Sequence, residues 1–262
     1  MIAAPPVMSR FVDLSVPLAP DKDWAPWWSR TVVKHQDHKV GRRVIRLMHR
    51  LPAKYLRTGL GWAHDQIKLS THGTTHLDAP WHYAPTSEGK PARTIDEVPL
   101  DWCYGDGVVL DMRHKQDGEM ITAEDLRESL ARIRYTLKPG DIVLIETGGD
   151  RLLGSREYFT QGIGVDAEAT RWLLDQGVKV TGIDAWGWDG PLEPQARRAK
   201  ETERSDVFWA SHYVGVDKEY CHLERLANLD ALPPHGFKLC CFPLKVERGS
   251  AGPARVVAIL DD

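Results

Sequence analysis

The residues best suited to chemistry lie in one short stretch, His72 to His82, which holds three histidines and an aspartate. His72 and His76 are four residues apart, so one helical turn would place both imidazoles on the same face. Asp78 follows, and Pro80 bends the chain in a way that could return His82 toward the other three side chains. Imidazoles and a carboxylate suit Zn²⁺, and also Mn²⁺ or Fe²⁺. The spacing predicts a metal site with His82 as a spare base.

A site for two ions needs further ligands, and the best candidates follow residue 209. His212 lies after a predicted strand or loop, and Glu224 lies in a helix predicted over residues 218–229. His222 is close to Glu224, but residues two apart on a helix face different ways, so the two are not expected to share an ion. By spacing alone, these side chains are equally consistent with an ordinary surface.

The elements that must position these residues are strands mixed with helices. Apolar runs rich in Val, Ile and Leu predict strands at 11–16, 66–70, 108–112, 142–146, 178–184, 237–242 and 255–260. Helical periodicity predicts helices at 123–135, 167–176 and 218–229. Thr122 with Asp125 resembles a capping box, and Asp166 is a plausible N-cap. The order predicts an α/β or α+β domain.

Two segments resemble lids on this domain. Residues 40–57 alternate basic and apolar side chains, which is consistent with a solvated helix packed on the body or, alternatively, with membrane contact. Residues 193–206 are almost wholly polar and are predicted to be a mobile excursion. Ten tryptophans, among them Trp24, Trp27, Trp28, Trp81, Trp186 and Trp188, are consistent with core packing or with an aromatic substrate pocket.

Size and charge exclude several classes of protein. A chain of 262 residues fits one large domain, and its net charge of −3 gives no general attraction to nucleic acid or anionic membrane. Four cysteines without a CxxC pair argue against a disulfide framework and for a reducing compartment. We find no signal peptide and no apolar run long enough to span a membrane. The expectation is a cytoplasmic protein that has neither nucleic-acid nor membrane partners.

The segment from His72 to His82 resembles the HxGTHxDxPxH signature of the Putative cyclase family of metal-dependent hydrolases, which includes bacterial kynurenine formamidases and isatin hydrolase. The spacing from His212 to Glu224 is similar to that of the family's later ligands. Residues 226–233 and 242–249 look like the isatin hydrolase end of the family. The resemblance covers most of the chain, roughly from residue 11 to residue 260.

This resemblance implies roles for six residues. His72, His76 and Asp78 would hold one ion, and Asp78 would bridge to a second ion. His212 and Glu224 would hold that second ion, and His82 matches the family's catalytic histidine. The implied fold is a swivelling β/β/α arrangement, here a single domain over residues 1–262, assembled as a homodimer or homotetramer.

The chemistry expected from such a site is hydrolysis by activated water. With one or two Zn²⁺ or Mn²⁺ ions as cofactor, we expect cleavage of a C–N bond in a small-molecule substrate, namely an aryl formamide, amide or lactam. Lactone or ester hydrolysis, or ring closure, at the same kind of site is an alternative. A non-catalytic protein that binds small molecules is a third. No GxSxG elbow or Walker-type loop competes with the metal site.

Overall fold

The computed structural model describes residues 9–21, 23–27 and 29–261, which combine a large mixed sheet with seven α-helices. The fifteen described strands are β1 (Ser9–Asp13), β2 (Val32–Gln36), β3 (His64–Lys68), β4 (His76–Asp78), β5 (Thr86–Ser87), β6 (Lys90–Pro91), β7 (Tyr104–Asp111), β8 (Met120–Ile121), β9 (Ile142–Glu146), β10 (Gly164–Val165), β11 (Val180–Ile183), β12 (Cys221–Glu224), β13 (Phe237–Cys240), β14 (Ala251–Pro253) and β15 (Val257–Asp261). The described helices are α1 (His38–His49), α2 (Pro80–Tyr83), α3 (Ala123–Ile133), α4 (Glu157–Thr160), α5 (Ala167–Asp175), α6 (Leu192–Thr202) and α7 (Ala210–Asp217). The mixed α/β class expected from the sequence is confirmed.

Nine strands form the main sheet, in the order β1-β15-β13-β7-β9-β11-β12-β4-β14. The four central strands β7, β9, β11 and β12 are parallel, and every other pairing within this sheet is antiparallel. Parallel strands are covered on both faces, which explains why the sequence of β9 is a continuous apolar run. The sheet therefore contains strands that sequence can identify easily, with shorter polar strands at one side.

Alternate side chains of the central strands supply two separate cores. Val109 and Leu144 pack on one face, whereas Val108 and Val143 pack on the other. Helices α3 and α5 cover this second face through buried residues such as Leu126 and Leu173. The predicted caps are confirmed, since Thr122 and Asp125 bond reciprocally and Asp166 accepts from Ala169.

Residues 18–70 form a compact unit separate from the rest of the chain, which comprises residues 1–17 and 71–262. In this smaller unit β2 pairs antiparallel with β3, and α1 follows β2. Helix α1 begins after Asp37, whose side chain accepts from two backbone N–H groups, and ends where Arg50 adopts a left-handed conformation. The basic run 40–57 is thus α-helical only as far as His49, with a short 3₁₀ helix at Ala53–Tyr55, and its interpretation as a lid stays a prediction.

Two predicted elements differ from those observed. The helix expected over 218–229 is wrong: the segment contains strand β12, which is buried between β11 and β4, so sheet pairing overrides its helical propensity. The polar excursion expected over 193–206 contains helix α6, and whether it acts as a lid also stays a prediction. None of the described helices combines the length and apolar character needed to cross a bilayer.

A candidate metal centre

Strands β4 and β12 place four polar side chains on one face of the sheet. In this antiparallel pair His76 lies opposite Glu224, and Asp78 lies opposite His222. Residues two apart on a strand point to the same face, so both pairs face the same side while the intervening leucines enter the core. The predicted helical turn joining His72 to His76 is therefore wrong, because residues 76–78 are extended.

The four side chains are close together and deeply buried. His76 Nε2 lies 3.1 Å from Asp78 Oδ1 and 3.6 Å from Glu224 Oε2. His222 Nε2 lies 3.1 Å from Asp78 Oδ2 and 3.3 Å from Glu224 Oε1. The side chains of His76, Asp78 and His222 have no solvent exposure. Charges at this depth are costly unless they are paired or bind a metal.

His72 and His82 approach the same carboxylate from the turn before β4 and from helix α2. His72 Nδ1 lies 2.8 Å from Asp78 Oδ1, and its Nε2 lies 3.0 Å from Ser250 Oγ. Pro80 opens α2 rather than ending a helix, since its missing N–H costs nothing in the first turn. That turn brings His82 Nε2 to 3.6 Å from Asp78 Oδ2, with a quarter of the side chain exposed.

His212 completes the cluster from helix α7. Its Nε2 lies 3.9 Å from Asp78 Oδ2 and 3.7 Å from Glu224 Oε1. Its Nδ1 contacts the carboxylate of Asp189, which also accepts from the backbone N–H of His212 at 3.1 Å. The indole of Trp209 stacks on the His212 ring, with centroids 4.3 Å apart.

Hydrogen bonds outside the cluster fix which nitrogen faces inward. The Nδ1 of His76 lies 2.6 Å from the carbonyl of Thr74, and that of His212 meets Asp189. A carbonyl can only accept, so Nδ1 of His76 carries the hydrogen and Nε2 presents a lone pair to the cluster. Metal-binding histidines characteristically donate their second N–H to such partners.

The cluster has the chemistry and geometry of a cation site. Asp78 Oδ1 and His76 Nε2 are buried, and neither makes an aligned hydrogen bond within the described part of the chain. Their approach to 3.1 Å without alignment is expected when lone pairs point toward a shared ion rather than toward each other. Two sets of side chains could hold metal ions, namely Asp78, His212, His222 and Glu224, and His72, Asp78 and His82.

Electrostatics favours ionised carboxylates in this cluster. Burial opposes the charge on Asp78, but the imidazoles of His72, His82 and His76 hold its pKa well below the usual value. Burial likewise opposes the charge on Glu224, but the hydrogen bond from His222 and the charges of His222 and His76 together outweigh it and lower the pKa of Glu224 to about 2. Both groups are therefore carboxylates at neutral pH, the form that binds a cation.

The pKa values of the histidines in the cluster shift in opposite directions. Burial lowers the pKa of His82 to about 4, despite the nearby Asp78 carboxylate. Burial also acts to lower the pKa of His222, but the hydrogen bonds to Asp78 and Glu224 outweigh burial and raise that pKa to about 9. Burial also opposes the charge on His72, but the charge and hydrogen bond of Asp78, together with the charge of Glu224, outweigh burial and raise the pKa of His72. A metal ion binding to such groups must displace protons.

The structure brings together all six residues singled out from the sequence: His72, His76, Asp78, His82, His212 and Glu224. Sequence reasoning missed His222, which it assigned to a helix, and the contacts of Asp189 and Trp209 with His212. Strand alternation in residues 221–224 was the signal that could have identified His222.

The tryptophans take several environments. Trp188 is buried in the core, Trp186 packs over the guanidinium of Arg225, and Trp27 is 79% exposed. Trp28 lies outside the described residues. The side chain of Trp81, in α2, is 44% exposed. No single aromatic pocket accounts for the described tryptophans.

Comparisons with known proteins find matches over most of the chain. A family model described as Putative cyclase matches residues 12–190. Isatin hydrolase of Roseibium aggregatum is 26% identical over 222 residues, which are 79% of either chain. Kynurenine formamidase of Erythrobacter litoralis is 29% identical over 192 residues, which are 73% of this chain and 74% of that protein.

Solved structures show the same fold. An isatin hydrolase bound to the product analogue thioisatinate superimposes with a TM-score of 0.75 at 21% identity, covering 97% of this chain and 93% of that one. Isatin hydrolase A from Labrenzia aggregata bound to benzyl benzoate gives 0.74 at 25% identity, covering 97% and 94%. The expected cyclase-like fold is thereby confirmed.

Proposed function

The chain belongs to the Putative cyclase family, and from this premise we propose that it is a divalent-metal-dependent hydrolase of small aryl formamides, amides or lactams. The names isatin hydrolase and kynurenine formamidase, borne by relatives that match about three quarters of the chain, both denote hydrolysis of a non-peptide C–N bond. The observation that carries the proposal is the convergence of buried imidazoles on the Asp78 carboxylate.

The two oxygens of Asp78 divide the ligands into two groups. Oδ1 lies near His72 and His76, which would hold the first ion. Oδ2 is the oxygen that His212 approaches. Glu224 would hold the second ion together with His212, and Asp78 would bridge the two. Zn²⁺ or Mn²⁺ suits this mixture of nitrogen and oxygen ligands.

A bound divalent ion would lower the pKa of a water molecule from about 15.7 toward about 7 and polarise the carbonyl under attack. His82 is the residue that would move the proton. Its side chain is partly exposed, its ring lies 4.1 Å from that of His72, and it is not held by a short contact to Asp78. It can therefore reach both the site and a substrate, and pass a proton to the leaving nitrogen.

Trp209 supports a preference for an aryl substrate. Its half-buried ring stacks on His212 and meets His82 edge-on, with centroids 5.1 Å apart. The partly exposed indole thus lies beside the proposed proton carrier, where a flat ring can pack against it. Lactones and esters present a similar carbonyl and are the competing substrates.

The test combines metal removal with a substrate panel. We expect chelation to abolish hydrolysis of N-formyl arylamines or isatin-like lactams, and stoichiometric Zn²⁺ or Mn²⁺ to restore it. Activity would be followed by ultraviolet absorbance and metal content by elemental analysis. Full activity in metal-free protein would contradict the proposal, and turnover of lactones or esters alone would favour the competing function.

The proposal extends to the assembly of the chain, its location and its lids. We propose a homodimer or homotetramer in the cytoplasm, with residues 40–57 and 193–206 acting as lids. Four cysteines without disulfide bonds are consistent with a reducing compartment. Light scattering would give the oligomeric state.

A further inference from the structure

Aromatic rings pack against His222 and restrict the orientation of its imidazole. It is fully buried, and its imidazole stacks on Trp188 with centroids 5.7 Å apart and planes inclined by 15°. The ring of Tyr83 stacks at 5.2 Å. Packing on both rings fixes the plane in which the two nitrogens of His222 lie.

The neighbours of Nδ1 determine what Nε2 can do. The hydroxyls of Tyr83 and Tyr220 both lie 3.3 Å from His222 Nδ1. Tyr220 donates its own hydrogen to the carbonyl of Ser211 at 2.9 Å, so its lone pairs remain to accept from Nδ1–H. With Nδ1–H engaged on this side, Nε2 is the nitrogen that can bind an ion, once the ion displaces the proton that Nε2 shares with Asp78 and Glu224.

Nε2 of His222 lies close to the side-chain atoms that would hold the second ion. Nε2 is 3.1 Å from Asp78 Oδ2 and 3.3 Å from Glu224 Oε1, the same two oxygens that His212 Nε2 approaches at 3.9 and 3.7 Å. In a tetrahedral zinc site with bonds of about 2.0–2.2 Å, neighbouring ligand atoms are roughly 3.3–3.6 Å apart. The observed separations bracket that range.

We propose that His222 is a fourth protein ligand of the second ion. Its partners there are Asp78, His212 and Glu224, whose ligand atoms all lie within 4.8 Å of one another and of His222. The proposal rests on the metal-dependent function proposed above. It goes further, because the five ligands carried over from the family resemblance do not include His222.

Four protein ligands would give the two ions different tasks. A zinc site with four protein ligands is closed, whereas a catalytic site keeps a position for water or substrate. The second ion would then be tightly held and exchange slowly. The first ion, beside the partly exposed His82, would keep open positions. His72, His76 and Asp78 would thus hold the ion that supplies activation of water, and Asp78, His212, His222 and Glu224 would hold an ion with a structural role.

The experiment compares metal binding by the full-length chain and two variants. His222→Gln keeps a polar side chain, and His222→Phe keeps the stacking on Trp188 and Tyr83 while removing the ligand. His114→Gln is the control, because His114 is an exposed histidine outside the cluster. Each chelator-stripped protein is titrated with Co²⁺, with visible absorption and elemental analysis as readouts. Thermal unfolding of the stripped proteins checks that each variant folds.

We expect wild type and His114→Gln to bind two ions per chain. Both His222 variants should retain one ion and bind the second at least about tenfold more weakly, with a changed Co²⁺ spectrum. Two ions bound with unchanged affinity in His222→Phe would overturn the proposal. One ion in wild type would overturn it and leave the hydrolase function standing, whereas no bound ion would overturn both. His222→Phe decides the question if His222→Gln does not fold.

Discussion

At the scale of single residues, histidines of one cluster differ in how firmly they are held. His72 lies between Asp78 and Ser250, and His76 Nδ1 contacts the carbonyl of Thr74, so both imidazoles are held in the orientation that the proposed ligand role needs. His82 makes no contact this short with Asp78, and a quarter of its side chain reaches solvent. A residue that moves protons needs this freedom, whereas a ligand needs to be fixed.

Replacing His82 by alanine tests this difference. We expect kcat to fall about 10²–10⁴-fold, the usual contribution of a positioned acid or base, while the bound metal stays unchanged. Steady-state kinetics and elemental analysis of the same samples provide the measurement. His72→Ala is the matched comparison and should lose metal. An unchanged kcat in His82→Ala would remove it from the mechanism, and loss of metal would make it a ligand.

The residue scale also shows where sequence reasoning succeeds. The stretch from His72 to His82 was identifiable because its chemistry is concentrated in eleven positions. His222 was not, because its role depends on the period of its element. On a helix the side chains of His222 and Glu224 would point in different directions, whereas on the observed strand they lie on the same face.

At the scale of elements, the site depends on the close approach of helices α2 and α7. Helix α2 carries His82 and Tyr83, and α7 carries His212. Gly215 of α7 faces the ring of Tyr83, and a Cβ at this position would lie 2.3 Å from its Cδ2 atom. Glycine is therefore required there for packing, although it lowers the propensity of the helix.

Gly215→Ala should push these two helices apart. We expect the free energy of unfolding to fall by about 1–3 kcal/mol, the usual cost of overpacking, together with a lower kcat because His82 and His212 shift relative to each other. Urea unfolding and kinetics measure the two effects. Asp217→Asn on the same helix, which removes only an exposed ion pair with Arg171, is the control. Equal stability of the two variants would contradict the close contact.

The elements predicted correctly are those with the strongest apolar patterns. Strand β9, most of β11 and the second half of β7 are apolar because both faces are buried, so they stand out in the sequence. Strands β4 and β12 are three and four residues long and carry polar ligands on one face, which removes the usual signal. Local rules fail here because these residues serve the site.

At the scale of the whole molecule, stability should respond to pH through a carboxyl group outside the candidate metal cluster. Glu146 ends β9, and burial raises its pKa to about 7 although Arg113 lies 2.9 Å away and opposes the shift. In the unfolded chain the pKa of Glu146 is near 4.5. Between these values the folded chain binds a proton that the unfolded chain has released. The stability that Glu146 contributes through this proton is fully present below pH 4.5 and is lost as the pH rises through about 7.

Glu146→Gln should remove this part of the pH dependence. We expect the free energy of unfolding of wild type to decrease more between pH 5 and 7.5 than that of the variant, because glutamine has no proton to lose. Denaturant unfolding at a series of pH values, with chelator present throughout, gives the comparison. Glu124→Gln, at an exposed position, should parallel wild type. Parallel curves for wild type and Glu146→Gln would contradict the prediction.

Sequence predicted the mixed class of the molecule but not the order of its strands. Alternating periodicities suffice for the class, since each element reports its own pattern. Strand order depends on partners far apart in the chain: His76 of β4 lies opposite Glu224 on one side and Pro253 on the other. Nothing within residues 76–78 specifies either partner.

The pairing of β4 with β12 and β14 also constrains how the protein is made. A nascent chain that has emerged from the ribosome only as far as residue 200 contains His76 and Asp78 but neither of these sheet partners. Contacts between such distant segments form slowly, after local structure. The complete cluster should accordingly assemble only after Glu224 has left the ribosome, when β12 can pair with β4.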